Sequence, residues 1–196
     1  MKMNLPNKLT VFRIILIPVF MLLLAINWQW GQLGIGGADI PVQQFVAAIV
    51  FIVASLTDLL DGKLARRDHL VTNFGKFADP LADKMLVMTA FIFLVSLGKV
   101  PAWVAAIIVC RELAVTGLRL LIVEQNGQVM AAAMPGKIKT TTQMLAIIFL
   151  LLNNIFFAAI SLPFGEIMLY ICLFFTVYSG ADYFIKGRDV FKDTNE

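Results

Sequence analysis

Four aspartates carry the chemistry that this chain can do. Asp58 and Asp61 are three residues apart, and Asp79 and Asp83 are four apart. On helices, those spacings place each pair on one face. If the two helices are neighbours, four carboxylates share one cavity. They cannot all stay ionised there without compensation, so either some take up protons or cations bind. Oxygen-only ligands favour hard divalent ions, Mg²⁺ or Mn²⁺. Two such ions close together suit an in-line displacement at phosphorus. Arg66 adds a phosphate contact, and Gly62, Ala65 and Gly75 are small enough for close approach of helices or ligand.

A second set of residues is cationic. Arg111 and Arg119 are eight residues apart with Val115 midway, so they share a broad helix face. Arg111 lies about 15 Å along its apolar run, a depth at which a guanidinium must face a polar cavity or pair with a carboxylate. Glu112 is adjacent, but neighbours on a helix point about 100° apart and do not readily face each other. Lys137 and Lys139 open the next apolar segment. These cations form a clamp for a phosphate, which Arg can hold bidentately. Asn7, Thr10 and Arg13 recur at intervals of three. They read either as a polar wall beside a ligand or as a helix start with a snorkelling Arg. Asp182 and Lys186 read as a helix-end ion pair.

Apolar helices must position these groups. The chain has 196 residues, 60% hydrophobic and 15% charged, against about 45–50% and 25% in a soluble domain. Its mean hydropathy of +0.85 argues against a soluble globule, a disordered chain or a nucleic-acid-binding domain. Apolar runs predict an all-α integral membrane fold with six transmembrane helices near 9–27, 42–63, 77–97, 101–124, 140–160 and 165–185. No repeat or linker divides residues 1–196, so a single membrane domain is expected. The first run lacks a convincing cleavage site and reads as a retained helix. Lys and Arg cluster in the termini and in the second and fourth connections, while the third has only Lys99. Both termini and the active site are therefore expected on the cytoplasmic side. Trp28, Trp30 and Trp103 then lie near the outer interface. Cys110 and Cys172 are far apart in apolar runs and suggest neither a disulfide nor a zinc site.

Read through, Asp58-Leu59-Leu60-Asp61-Gly62-Lys63-Leu64-Ala65-Arg66, eight residues, then Gly75-x3-Asp79-x3-Asp83 resembles the full signature of the CDP-alcohol phosphatidyltransferase family. No position departs from it. Three further stretches resemble the bacterial members whose acceptor is sn-glycerol 3-phosphate: Pro6-Asn7-Lys8-Leu9-Thr10-Val11-Phe12-Arg13, Arg111-Glu112 through Thr116 to Arg119, and Gly136-Lys137-Ile138-Lys139-Thr140. The resemblance implies a six-helix membrane enzyme, often a homodimer. Such enzymes transfer the phosphatidyl group of CDP-diacylglycerol to an alcohol and release CMP. It implies two divalent cations, Mg²⁺ or Mn²⁺, held by Asp58, Asp61, Asp79 and Asp83, with Asp83 as the base. Asp58, Asp61, Gly62, Ala65, Arg66, Gly75 and Asp79 fall to the CDP donor. Arg111, Arg119, Lys137 and Lys139 fall to the glycerol phosphate, with Asn7, Thr10 and Arg13 as further candidates. A bacterial plasma membrane is the expected setting.

Other readings compete with this one. The signature serves the shared CDP end, so inositol phosphate, serine or phosphatidylglycerol are rival acceptors; the cation clamp weakens serine. A cation transporter would also place carboxylates in the membrane. It would need access from both faces and often repeated halves. An assembly subunit would use its aspartates only as ion-pair partners.

Overall fold

A computed structural model describes residues 5–67, 73–124 and 134–187 of the chain. Side chains at 5–6, 58–67, 73–80 and 123–124 lie outside the described set, as do all of residues 1–4, 68–72, 125–133 and 188–196. Among the described residues, six α-helices form the structure: α1 Leu5–Ala25, α2 Val42–Arg67, α3 Asn73–Ser96, α4 Ala102–Glu124, α5 Met134–Leu151 and α6 Phe164–Lys186. At about 1.5 Å per residue, α1 and α6 match the hydrocarbon thickness of a bilayer. Both are long and apolar enough to cross a membrane by length and composition. The apolar part of α2, Val42–Thr57, is shorter. Helices α3, α4 and α5 carry most of the charged cavity residues described below.

Large apolar side chains lie both inside and outside this bundle. Phe20, Phe51, Phe91, Ile108, Ile147 and Leu169 form the core with 0–1% exposure. Ala47, Ala48 and Ala54 on α2 are fully buried, which lets helix backbones approach closely. Leu22, Ile92, Leu120 and Phe174 point outward from α1, α3, α4 and α6. An apolar surface spread over that many elements suits lipid rather than water.

Two departures from the expected elements lie at one end of the bundle. Gln32–Ile35 (β1) pairs antiparallel with Ala38–Pro41 (β2), in the connection between the first two expected helices. Gly36 and Gly37 have φ of +59° and +79°, as a tight two-residue hairpin turn requires. A Cβ on Gly37 would stand 2.8 Å from the Ala159 Cβ, so the turn packs directly on the segment after α5. The second departure is that α5 stops at Leu151 instead of continuing to 160. Asn153 adopts a left-handed φ of 50°. The Asn154 N–H donates to the Phe149 carbonyl (2.8 Å) and the Asn153 N–H to the Leu150 carbonyl (3.4 Å). That is a Schellman stop with asparagine in the position usually held by glycine. Asn154 then accepts from the Gly165 N–H at 2.6 Å and donates to Glu166 at 3.0 Å, fixing the start of α6.

Lys99 ties this end together. Its ammonium donates to Gln44 Oε1 (2.6 Å), the Leu150 carbonyl (2.7 Å) and Asn153 Oδ1 (2.5 Å). It thus satisfies a carbonyl that the C-terminus of α5 leaves over. Burial pushes the Lys99 amine down to about 8, opposed in part by Glu166. Trp28, Trp30 and Trp103 are exposed, with the Trp28 and Trp30 rings 5.1 Å apart.

Lys99→Met leaves several acceptors without a donor, each costing about 1–3 kcal/mol when buried. The expected result is a thermal midpoint lower by several degrees in detergent micelles. The pH dependence also has a sign. Between pH about 8 and the ordinary lysine value near 10.5, the unfolded chain holds a proton that the folded chain has released. Stability relative to the methionine variant therefore rises with pH across that window and is flat below it.

Candidate active site

At the opposite end, α3, α4, α5 and α6 enclose a cavity of about 230 Å³. Asp83, Lys84 and Val87 line it from α3, and Arg111, Glu112, Thr116 and Arg119 from α4. Gly136, Lys139 and Gln143 line it from α5, and Ser179, Asp182 and Tyr183 from α6. Helical repetition explains the set. Positions 111/112, 115/116 and 119 are successive turns of one face of α4, as are 136, 139/140 and 143 on α5.

The charges are organised around Glu112. One carboxylate oxygen, Oε1, accepts from Arg111 Nη1 at 3.0 Å and from Lys139 Nζ at 2.5 Å. Adjacent residues therefore do pair here, contrary to the expectation from helical geometry. The long Arg111 side chain bends back to a carboxylate that Lys139 also holds from α5. Arg111 Nη2 reaches Ser179 Oγ at 2.8 Å. Its side chain lies against Gly180, where a Cβ would stand 3.1 Å from Arg111 Cγ. Arg119 donates to the Tyr183 hydroxyl through Nε (3.2 Å) and Nη2 (2.9 Å). Helices α4 and α6 are thus joined by two rungs, 111–179 and 119–183. The Lys84 ammonium donates to the Thr116 hydroxyl, which in turn donates to the Glu112 carbonyl at 2.6 Å. Asp182 pairs with Lys186 at 2.7 Å, as its spacing suggested. With that pair set aside, Lys84, Arg111, Arg119 and Lys139 face Asp83 and Glu112. The four cations of the described lining meet three carboxylates, and with Asp182 neutralised by Lys186 from outside the lining the excess is two positive charges, matched to a dianion such as a phosphate monoester. The N-terminus of α5, bordering the cavity at Pro135 and Gly136, adds the positive end of a helix dipole.

The residues expected from sequence fall into three groups. Asp83, Arg111, Arg119 and Lys139 are brought together in the cavity. Lys137 is exposed and is not part of the lining. Asp58, Asp61, Gly62, Ala65, Arg66, Gly75 and Asp79 sit on the helical backbones of α2 and α3, with side chains outside the described residues. On α1, Thr10 and Arg13 are fully buried. Arg13 therefore does not snorkel to the surface. It lies in the helix that packs on α2 and α3, which carry the aspartates. A guanidinium buried to that extent needs polar and anionic surroundings. Lys84, Thr116, Gln143, Ser179 and Tyr183 were not anticipated. Helical spacing from Asp83, Arg111 and Lys139 was the available signal.

A family model described as CDP-alcohol phosphatidyltransferase matches residues 3–178. The chain belongs to the CDP-alcohol phosphatidyltransferase family. Two of the relatives are similar over 95% or more of its length. It is 50% identical to a CDP-diacylglycerol–glycerol-3-phosphate 3-phosphatidyltransferase of Bacillus subtilis, over 98% of this chain and 99% of the relative. It is 37% identical to a probable phosphatidylglycerophosphate synthase of Mycobacterium tuberculosis, over 95% of this chain and 83% of the relative. An Escherichia coli protein with the same name as the Bacillus one is 40% identical over 77% of this chain and 78% of its own length. Within the family frame, the cavity abuts the signature through Asp83.

Glu112→Gln removes the anion that Arg111 and Lys139 share. Breaking a buried ion pair on one side costs about 3–5 kcal/mol. The variant is expected to melt at lower temperature than the parent, and inorganic phosphate is expected to raise its midpoint by more than it raises the parent's. Thermal scans with and without phosphate measure both effects.

Proposed function

We propose that this chain transfers the phosphatidyl group of CDP-diacylglycerol to sn-glycerol 3-phosphate, giving phosphatidylglycerol phosphate and CMP. The observation that carries the reading is the excess of two positive charges in a cavity that also holds Asp83. Glycerol 3-phosphate bears nearly two negative charges at neutral pH, and serine has no phosphate to match. Relatives named for this reaction, at up to 50% identity over the full length, support the same acceptor.

In this reading Arg111, Arg119 and Lys139 hold the acceptor phosphate, and exposed Lys137 contributes only to the field at the entrance. Lys84 adds a fourth cation beside Asp83. The primary hydroxyl of glycerol 3-phosphate gives its proton to an Asp83 carboxylate oxygen. The hydroxyl oxygen forms a bond to the phosphorus nearer the diacylglycerol, and the bond from that phosphorus to the CMP oxygen breaks. Guanidinium and ammonium groups already in place stabilise the charge that develops, without reorganising.

Asp58, Asp61, Asp79 and Asp83 fit two divalent cations by donor chemistry. All four are carboxylates, spaced for one face on each of two helices in contact, and Asp83 borders the cavity. Mg²⁺ or Mn²⁺ held there supplies charge neutralisation for the donor pyrophosphate. Gly62, Ala65, Arg66 and Gly75 accompany these aspartates at the donor. Asn7, Thr10 and Arg13 wall the donor side from α1. The six helices all span the membrane, both termini are cytoplasmic and the cavity opens to the cytoplasm, as the Lys and Arg distribution directs. The protein works as a homodimer in a bacterial plasma membrane, with acyl chains entering laterally from lipid.

CMP release by the purified chain in detergent micelles with CDP-diacylglycerol and Mg²⁺ or Mn²⁺ tests the reading. Acceptors are added singly: glycerol 3-phosphate, serine, inositol phosphate and phosphatidylglycerol. Release is expected with glycerol 3-phosphate alone, and it is abolished by chelator and by Asp79→Ala. Arg119→Ala is expected to raise KM for glycerol 3-phosphate about 10- to 100-fold, in line with loss of a charged hydrogen bond of about 1.5–3 kcal/mol. Asp83→Asn lowers kcat by at least about 100-fold if Asp83 takes the proton. Release with a different acceptor overturns the assignment of the cations. No release with any acceptor from folded protein favours a transporter or an assembly subunit.

A further inference from the structure

Gln143 is a neutral residue of the described cavity lining whose burial and chemistry the phosphate clamp leaves unexplained. It is 2% exposed. Its Nε2 amide nitrogen has no hydrogen-bond partner among the described residues. Burying such a donor costs about 1–3 kcal/mol unless something accepts from it. Gln143 also lines the cavity, so a ligand there has access to the orphaned donor.

Its position on α5 narrows what that ligand group is. Gly136, Lys139 and Gln143 follow one another along a single face of the helix. Buried Lys139 and the helix N-terminus supply the charge that a phosphate requires. Gln143 lies one turn deeper, about 6 Å along the axis. At that depth the lining includes Met144 and Val87, which are apolar. A neutral amide beside thioether and valine is poorly suited to a second charged group. It is well suited to a hydroxyl oxygen.

We propose that Gln143 is a specificity-determining residue. Its side-chain amide donates to the middle hydroxyl of the acceptor, so that the site selects a phosphate monoester of a vicinal diol. This rests on the glycerol 3-phosphate reading given above. The phosphate lies between Arg119 and Lys139, the middle hydroxyl is read by Gln143, and the terminal hydroxyl is left to Asp83. The selection has a physical basis. An acceptor lacking the middle hydroxyl would fill the site and leave a buried N–H unpaired. A site built to bond a hydroxyl discriminates strongly against an analogue without it.

The experiment compares glycerol 3-phosphate with 3-hydroxypropyl phosphate, which keeps the phosphate and the primary hydroxyl but lacks the middle one. Wild-type chain and Gln143→Met are assayed for CMP release in micelles with CDP-diacylglycerol and Mg²⁺. The wild type is expected to show kcat/KM at least about tenfold lower for the analogue. In Gln143→Met, kcat/KM for glycerol 3-phosphate falls towards the analogue's value, while the analogue's own value changes by no more than about twofold. The substrate comparison in the wild type needs no variant, so poor folding of Gln143→Met does not remove the test. Equal use of both acceptors by the wild type overturns the assignment of Gln143 alone. So does an equal loss for both acceptors in a folded Gln143→Met, which marks a packing role. No release from wild type with glycerol 3-phosphate is a different failure: it overturns the acceptor reading, and this assignment with it.

Discussion

One carboxylate oxygen holds the cavity in its present shape. Glu112 Oε1 accepts from Arg111 on its own helix and from Lys139 on α5. Two cations at that depth repel each other and lose hydration, and neither effect is tolerable without an anion. With Glu112 between them, α4 and α5 can approach and still keep both side chains facing the same space. The other contacts follow from this arrangement. Arg111 reaches on to Ser179 of α6 past Gly180, where a Cβ would stand 3.1 Å from Arg111 Cγ and crowd that path. The Glu112 carbonyl accepts from Thr116, which receives the Lys84 ammonium from α3. The carboxylate thus joins α4 to α5 and orients the Arg111 that reaches α6, while the backbone carbonyl of the same residue lies on the path to α3.

The two ends of the bundle solve opposite problems. At the cavity end, polar groups are gathered to remain available to a ligand. At the hairpin end, polar groups are consumed. Lys99 occupies acceptors from α2 and α5 and from the turn after α5, Asn153 donates to the Asp39 carbonyl at 2.6 Å, and Asn154 serves α6. The cavity end leaves an N–H of Gln143 without a partner among the described residues. A closed end that fixes helix positions lets the other end remain open without losing register, because long helices transmit that placement along their length.

Much of this was legible from residue spacing. Long apolar runs broken at Gly98 to Pro101 located α3 and α4, and Gly98 does take the left-handed conformation, with φ of +70°, that ends a helix. The depth of Arg111 correctly demanded a polar cavity or a carboxylate, and it has both. The misses have local causes. Asn153 and Asn154 stand inside Leu-Leu-Asn-Asn-Ile-Phe-Phe, where hydropathy masks a stop signal that acts through backbone conformation. The hairpin is too short for strand periodicity to register, and only its Gly36-Gly37 turn was available to mark it. Helical geometry alone disfavours the Arg111–Glu112 pair, because Cα directions carry neither the reach of the side chain nor the pull of Lys139, which is 27 positions from Glu112.

Charge number argues that the site is tuned and not merely basic. A clamp made only of cations would hold any polyanion and would release it slowly. Here Glu112 cancels part of the positive charge, and with Asp182 neutralised by Lys186 from outside the lining an excess of two remains among the described residues. A phosphate dianion balances that excess, whereas a monoanion leaves one charge uncompensated and a trianion overshoots. Electrostatic balance alone accepts any phosphate monoester of suitable size, because charge carries little information about shape. Neutral groups must therefore supply the remaining selectivity. The neutral polar groups of the described lining are Thr116, Ser179, Tyr183, Thr140, whose hydroxyl donates to the Gly136 carbonyl, and Gln143. The first three already bond to Lys84, Arg111 and Arg119 respectively, so their hydrogen-bonding capacity is largely committed to holding the clamp. Gln143 keeps an uncommitted N–H among them, so discrimination between acceptors of equal charge falls to α5.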